Sequence, residues 1–286
     1  MVDSLARAAG PEAVTAVVNV GDDLELLGLR ISPDIDTVLY SLARLLDEER
    51  GWGVRDETYS ARAITERLGG ETWFTLGDRD IGLHLVRTEA LHRGEPLSAV
   101  TRRLARALGV GLELLPATDD EQRTFLRTDA GELDFQTWFV RRDHADRVLA
   151  VDVRGEARPA PGVLEAIRGA EHVVIAPSNP FVSIGPILAV EGVRDALAER
   201  RVAAVSPIVG GEAIRGPLVE MLEALGFERS AKGVADHYGR LIDVFVVDET
   251  DADLAPAIPG AVVAPTVMVD PGRREEVGRA VLEVLG

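Results

Sequence analysis

The sequence predicts an α/β protein with a doubly wound, mainly parallel sheet that carries a largely helical cap. Three observations predict it. From residue 148 onward, short apolar runs alternate with stretches at helical spacing, which is the order that parallel strands with crossover helices require. Nearer the start, the β-branched run at 14–20 stops at Gly21-Asp22-Asp23, as a buried strand does where it empties into a loop at its carboxyl end. Between these regions, 41–110 shows helical spacing and no clean linker, so the 286 residues are expected to form one α/β domain (1–286) with 41–110 as a cap or insertion and 148–286 as regular β/α alternation.

In chain order, residues 3–9 read as the tail of a helix that Gly10 and Pro11 end. The strand at 14–20 and an aspartate-rich loop follow. Helical spacing then resumes at PDIDTVLYSLARLL and is broken by the glycines at 51 and 53. A loop with Trp52, Arg55 and Asp56 leads into a short helix. The aromatic pair Trp73 and Phe74 precedes Gly77-Asp78-Arg79-Asp80, from which a helix with His84 and Arg87 departs. After a further helix at 97–109, strands are expected at LELLPAT and across TFLRT-DAGE-LDFQTWFV, where alternation about Asp-Ala-Gly predicts a hairpin. The remainder alternates: VLAVDV, a helix, HVVIAP, a helix, VAAVSP, a helix, LIDVFVV, a short AVVAPTVMV and a closing helix.

Composition narrows the function. A net charge of −17 argues against a nucleic-acid or anionic-membrane surface, because neutralising phosphates takes clustered cations. The chain has no cysteine, which removes disulfides, thiolate metal sites and cysteine nucleophiles and fits a reducing, cytoplasmic setting. No apolar run approaches the roughly 20 residues of a membrane helix. Of 31 basic residues only Lys232 is lysine, a bias that fits a GC-rich genome.

Chemistry concentrates at strand ends, where open α/β sheets hold their ligands. Asp22, Asp23, Asp34 and Asp36 fall within VVNVGDDLELLGLRISPDIDTVLY. Converging carboxylates repel one another unless a cation lies between them, and hard divalent ions prefer oxygen ligands. The plainer role for Asp34 or Asp36 is to cap the following helix. The loop APSNPFVSIGPIL offers Ser178, Asn179 and Ser183, and SPIVGGEAIRG offers Gly210, Gly211 and Arg215; such loops cradle phosphate or simply connect. Trp52, Trp73 and Phe74 either stack on a flat ring or pack in the core. His84 and His237 have no partner at metal-ligand spacing and read as structural or surface histidines. Ser-His-Asp, GxGxxG and GxxxxGKT are absent, which leaves metal-assisted group transfer.

VVNVGDD, GLRISPDIDTVLY, RGWGVRDET, WFTLGDRD with LHLVRT, LLPATDD, FQTWFVRR, APSNPFVSIGPILAV, SPIVGG and HYG occur here in the order in which the 2-phospho-L-lactate transferases of coenzyme F-420 biosynthesis carry them. The chain resembles that family over roughly residues 13 to 248. The resemblance implies a Rossmann-like fold with a helical cap. It also implies transfer of a phospholactyl or phosphoenolpyruvyl group from a guanosine diphosphate conjugate to the 5′-hydroxyl of the deazaflavin Fo. GMP is released, Mg²⁺ is required, and family members are commonly homodimers. Carried over by residue, it makes Asp22 and Asp36 metal and acceptor-hydroxyl contacts and the catalytic pair, with Asp23 on the metal and Asp34 in support. Trp73, Asp78 and Arg79 would form the deazaflavin pocket, and Ser178, Asn179, Pro180, Ser206 and Pro207 the nucleotide side. A non-catalytic nucleotide or nucleotide-sugar binding regulator of the same fold is the alternative.

One motif departs from the pattern. The family begins with a strand and a loop of the form GG-x-GG-[AS]-[KR], whereas Met1-Val2-Asp3-Ser4-Leu5-Ala6-Arg7 falls where the next helix already runs. The expectation is a start assigned downstream of the true one, with a shortened regulatory homologue as the alternative. In-frame codons upstream decide between them. Without the strand, apolar sheet edges should be exposed and donors to the diphosphate missing.

Overall fold

Strand β1 (Thr15–Val18) leads directly into the acidic loop, and the rest of the fold is arranged about its carboxyl end. The computed structural model describes residues 1–285 apart from Arg215 and Val269; the anion contact considered at Arg215 therefore lies outside the described residues. Helix α1 (Val2–Ala9) precedes β1. After Asp22 and Asp23, β2 (Leu24–Leu26) and β3 (Leu29–Ile31) form an antiparallel hairpin where a loop is expected from the sequence. Its turn is Leu27-Gly28, at φ 53° and 76°, the doubly left-handed pair that suits a two-residue hairpin. Leu24, Leu26 and Ile31 alternate inward against Leu76, with Trp73 and Phe74 packed alongside.

Helix α2 (Pro33–Leu42) opens with proline, whose fixed φ suits the first turn, and buries Ile35, Asp36, Leu39 and Tyr40. Helices α3 (Ser60–Arg67), α4 (Asp78–His92) and α5 (Leu97–Ala107) follow, then strand β4 (Glu113–Pro116), which pairs in parallel with β1. Val100 and Leu104 of α5 share a core with Ala16, Val18 and Leu114, so α5 covers the β1–β4 pair. None of α3 is buried, and it is the outlying part of 41–110.

Strands β5 (Arg123–Thr128) and β6 (Gly131–Asp134) make the expected hairpin, but the second strand stops early. Asp134 accepts the Thr137 N–H at 2.9 Å, and Thr137–Arg141 wind into a π-helical turn that buries Trp138. Strand β7 (Val148–Arg154) pairs antiparallel with β5 and closes a three-stranded sheet; the regular parallel alternation begins after it. Its burial is one-sided, whereas the central parallel strands at Val202–Val205 and Val244–Val247 are buried throughout, and that difference separates the two kinds of sheet.

Next come α6 (Val163–Gly169), β8 (Val173–Ile175), a π-helical turn Pro180–Ile184 running into α7 (Gly185–Ala189), α8 (Val193–Ala198) and β9 (Val202–Val205). A small hairpin, β10 (Ile208–Val209) and β11 (Glu212–Ala213), precedes α9 (Leu218–Ala224) and α10 (Ala231–Tyr238). The chain finishes with β12 (Val244–Val247), β13 (Ala261–Val263) and α11 (Arg274–Glu283). These later strands form a four-stranded sheet in the order β13-β12-β9-β8, parallel at every ladder.

Among the described residues no ladder joins β1–β4 to this sheet, and β1 and β8 each pair on one side only. Their edges are half-buried rather than bare: Val17 packs against the same core as Val173 and Ile175. The two carboxyl ends meet directly, because the Asn19 side chain lies 3.4 Å from the Val182 carbonyl in the loop after β8. Among the described residues no helix is long and apolar enough to cross a membrane.

Candidate active site

Asn19 directly follows β1, and its buried carboxamide organises the acidic loop. Its Oδ1 accepts the Gly21 N–H at 2.7 Å, so its Nδ2 faces the carboxylates and donates to Asp22 at 2.7 Å and to Asp34 at 3.0 Å. Burial pushes the Asp22 carboxyl well above the usual range, and the charges of Asp34 and then Asp23 add to it. Burial also raises Asp34, against the Asn19 hydrogen bond. Two oxygen-bearing groups held together at this cost in repulsion have the chemistry of a hard-cation site.

Asp23 is pushed up to about 7, chiefly by burial. Ser32 donates to its Oδ2 at 2.7 Å while its Oδ1 is buried without a partner. Arg123 holds the Asp23 carbonyl, and Gln136 donates to the Asp22 carbonyl at 3.2 Å. The Thr124 hydroxyl and the Gln136 carbonyl oxygen are likewise buried and unpaired. Gly21 is required by this crowding: a Cβ there would sit 2.7 Å from Thr124 Oγ1 and 2.8 Å from Pro186. Among the described residues no three His, Cys, Asp or Glu side chains meet in the arrangement of a metal site. The Asp22–Asp34 pair and the orphan Asp23 oxygen nevertheless fit a divalent cation by donor type.

Asp36, whose charge also acts on Asp23, is held by an arginine. Fully buried Arg87 donates to both of its oxygens, to Oδ2 at 3.0 Å and to Oδ1 at closer range. His84 Nδ1 lies 3.3 Å from the same guanidinium; arginine only donates, so this nitrogen accepts and Nε2 carries the proton. Burial pushes His84 down to about 4, which keeps it neutral. One turn along α2, Tyr40 donates to Asp80 at 2.5 Å, and burial pushes Asp80 up to about 6.

The Gly77-Asp78-Arg79-Asp80 turn proves to be a reciprocal helix cap. Asp78 accepts from the Ser60 and Ala61 N–H groups at 3.1 and 2.9 Å and from the Thr58 hydroxyl, and so caps α3. Glu57 accepts from the Arg79 and Asp80 N–H groups and caps α4. Gly77 makes room, since a Cβ there would meet Glu57 Cγ at 1.9 Å. Arg79 reaches the Arg55 carbonyl. Trp73 sits over the β2–β3 hairpin, edge-on to Phe74 at 5.8 Å, with the Arg141 guanidinium 5.7 Å from its ring and its indole N–H buried and unpaired.

On the other strand ends, Asn179 caps the π-helical turn by accepting from Phe181 and Val182, and among the described residues its amide hydrogens have Met221 Sδ, at 3.3 Å, as partner. Pro180 is buried beside it, and Ser178 is half-buried. Ser206 is buried and its hydroxyl is used internally by Ile208, with Pro207 buried next to it. Sequence reasoning missed Asn19, Arg87, Gln136 and Arg123. A polar residue inside the β-branched run marks Asn19, and an arginine three residues after His84 in the same helix marks Arg87; for Gln136 and Arg123 the sequence carries no comparable signal.

Fold and site together define an α/β protein with a buried acidic centre at one strand end and a capped, glycine- and proline-bearing loop at the neighbouring one. The chain matches the family described as 2-phospho-L-lactate transferase CofD over residues 1–283, and it belongs to that family of transferases. It is 44% identical over 282 residues to the phosphoenolpyruvate transferase of Thermobifida fusca, covering 96% of this chain and 88% of that one. It is 39% identical over 253 residues to the 2-phospho-L-lactate transferase of Methanosarcina mazei, covering 88% and 84%. Among solved structures, a UPF0052 family member from Bacillus halodurans superposes with a TM-score of 0.63 at 18% identity, covering 98% of this chain and 95% of that one, which bears on the fold alone.

Proposed function

We propose that this protein transfers a phospholactyl or phosphoenolpyruvyl group from a guanosine diphosphate conjugate to the 5′-hydroxyl of the deazaflavin Fo, in the cytoplasm, as a step of coenzyme F-420 biosynthesis. The observation that carries the reading is the Asn19-bridged pair of Asp22 and Asp34 at the end of β1, in a chain of this transferase family. The acceptor oxygen forms a bond to the phosphorus that bears the three-carbon acid. The bond from that phosphorus to the bridging oxygen breaks, and GMP leaves with that oxygen.

Asp22 and Asp34 would hold Mg²⁺, with the free Asp23 oxygen at the same centre. When bound, the ion supplies charge neutralisation for the diphosphate. Asp23, one of whose carboxylate oxygens is buried without a partner, is the group placed to take the hydroxyl proton. Asp36, engaged at both oxygens by Arg87, serves to fix the helix whose first turn carries Asp34. Trp73 offers a flat wall and an unpaired N–H beside the hairpin for the deazaflavin. Asn179, whose amide hydrogens have a thioether as partner among the described residues, suits the nucleotide phosphates. Asp78 and Arg79 support the acceptor pocket through the helix caps.

The test is a kinetic split. Asp22→Asn and Asp34→Asn should lower kcat by about 100-fold or more, whereas Trp73→Ala should act mainly on KM for the deazaflavin. Unchanged turnover in both aspartate variants sinks the reading.

A further inference from the structure

Asn19 is 2% exposed and stands where three separate segments converge. Its Nδ2 lies 2.7 Å from Asp22 in the loop after β1, 3.0 Å from Asp34 in the first turn of α2, and 3.4 Å from the Val182 carbonyl in the π-helical turn after β8. The amide cannot be reversed without losing the 2.7 Å bond from Gly21 N–H to Oδ1, so Nδ2 is the atom that faces the two carboxylates, with the Val182 carbonyl at 3.4 Å sharing one of its hydrogens. Like charges at a desolvated site separate unless something holds them. Among the described residues, Asn19 is the side chain that hydrogen-bonds to both.

We infer that Asn19 is the positioning residue of the acidic centre, the single carboxamide that sets the Asp22 and Asp34 oxygens at one separation and ties them to the loop after β8. The inference rests on the reading of Asp22 and Asp34 as the cation-holding pair. A neutral donor is the right group for the task. It offers a hydrogen to each carboxylate without adding charge, whereas a lysine or arginine there would neutralise the pair and compete with the cation. Its contact to Val182 makes the same side chain report on the nucleotide half of the site.

The experiment uses Mn²⁺ alone as the probe. Binding of Mn²⁺ to the full chain without substrates is followed by electron paramagnetic resonance for the wild type and for Asn19→Leu, which keeps the volume and removes the amide. Loss of a partner that orients ligands weakens metal binding by about 10- to 100-fold, and that loss is expected here. Expected alongside it are a lower kcat and a KM for the deazaflavin changed by less than about threefold, a split that a general loss of fold does not produce. If Asn19→Leu fails to fold, the comparison moves to Asn19→Ser. In an Asp34→Asn background, removing Asn19 should have a smaller further effect, because one arm of the clamp is already gone. Mn²⁺ affinity unchanged in a folded Asn19 variant, or strictly additive effects with Asp34→Asn, overturns the inference. A wild type that forms product but binds no Mn²⁺ also overturns it while leaving the transferase reading intact. Asn19-dependent Mn²⁺ binding without any product sustains the inference and removes the transferase reading.

Discussion

Arg87 of α4 and Asp36 of α2 form a fully buried ion pair in which the guanidinium engages both carboxylate oxygens. Such a pair is a weak source of net stability, but removing one partner strands the other as a buried charge at a cost of about 3–5 kcal/mol. Asp36→Asn is therefore expected to lose stability on that scale in chemical denaturation. Combining it with Arg87→Met should recover part of the loss. A loss below about 1 kcal/mol for Asp36→Asn would show that the pair is not closed in solution.

Asp80 gives a pH dependence of known sign. Its folded pKa is raised to about 6 by burial from an ordinary 3.8, so the folded protein binds the proton more tightly. The corresponding stability is present below about pH 4 and is lost as pH rises through 6. Other groups contribute as well: the raised carboxyls Asp22, Asp23 and Asp34 in the same direction, and His84, pushed down to about 4, in the opposite one. The difference between wild type and Asp80→Asn isolates the effect. Asp80→Asn should gain on the wild type by about 2 kcal/mol between pH 4.5 and pH 8, measured by urea denaturation. A pH-independent difference contradicts the assignment.

At Gly21, the acidic loop passes too close to Thr124 and Pro186 for any side chain. Gly21→Ala is expected to cost about 1–3 kcal/mol and to displace Asp22, with a fall in turnover larger than the fall in thermal stability would explain. Wild-type turnover in Gly21→Ala would show that the loop yields freely.

The reciprocal cap predicts a local effect. Asp78→Ala removes acceptors from two backbone N–H groups of α3 and should fray its first turn, read by faster amide exchange at Ser60 and Ala61. Exchange unchanged at those amides would place the cap elsewhere.

Much of the fold was legible because period and punctuation agree: the strands that became β1, β4, β8, β9 and β12 are apolar runs bounded by glycine, proline or charge. The β2–β3 hairpin was not, since two strands of three residues around Leu27-Gly28 are shorter than any periodicity can register. β7 reads as one more strand in the alternation, and only its one-sided burial assigns it to β5. In the site, the aspartates were visible as residue types, but their partners were not. Arg87 lies 51 residues from Asp36, and Gln136 lies 114 from Asp22. A sequence names carboxylates; the hydrogen bonds that divide Asp22 and Asp34 from Asp36 exist only once the chain is folded.

The central claim is group transfer at the Asp22–Asp34 centre. Its most direct test incubates the full chain with Fo, Mg²⁺ and, separately, the guanosine diphosphate conjugates of lactate, enolpyruvate and glycerate, with products identified by mass. The account predicts a phosphodiester of Fo with at least one of these acids, GMP in equal amount, and loss of both in folded Asp22→Asn and Asp34→Asn. Nucleotide binding with no Fo product from any donor would contradict it.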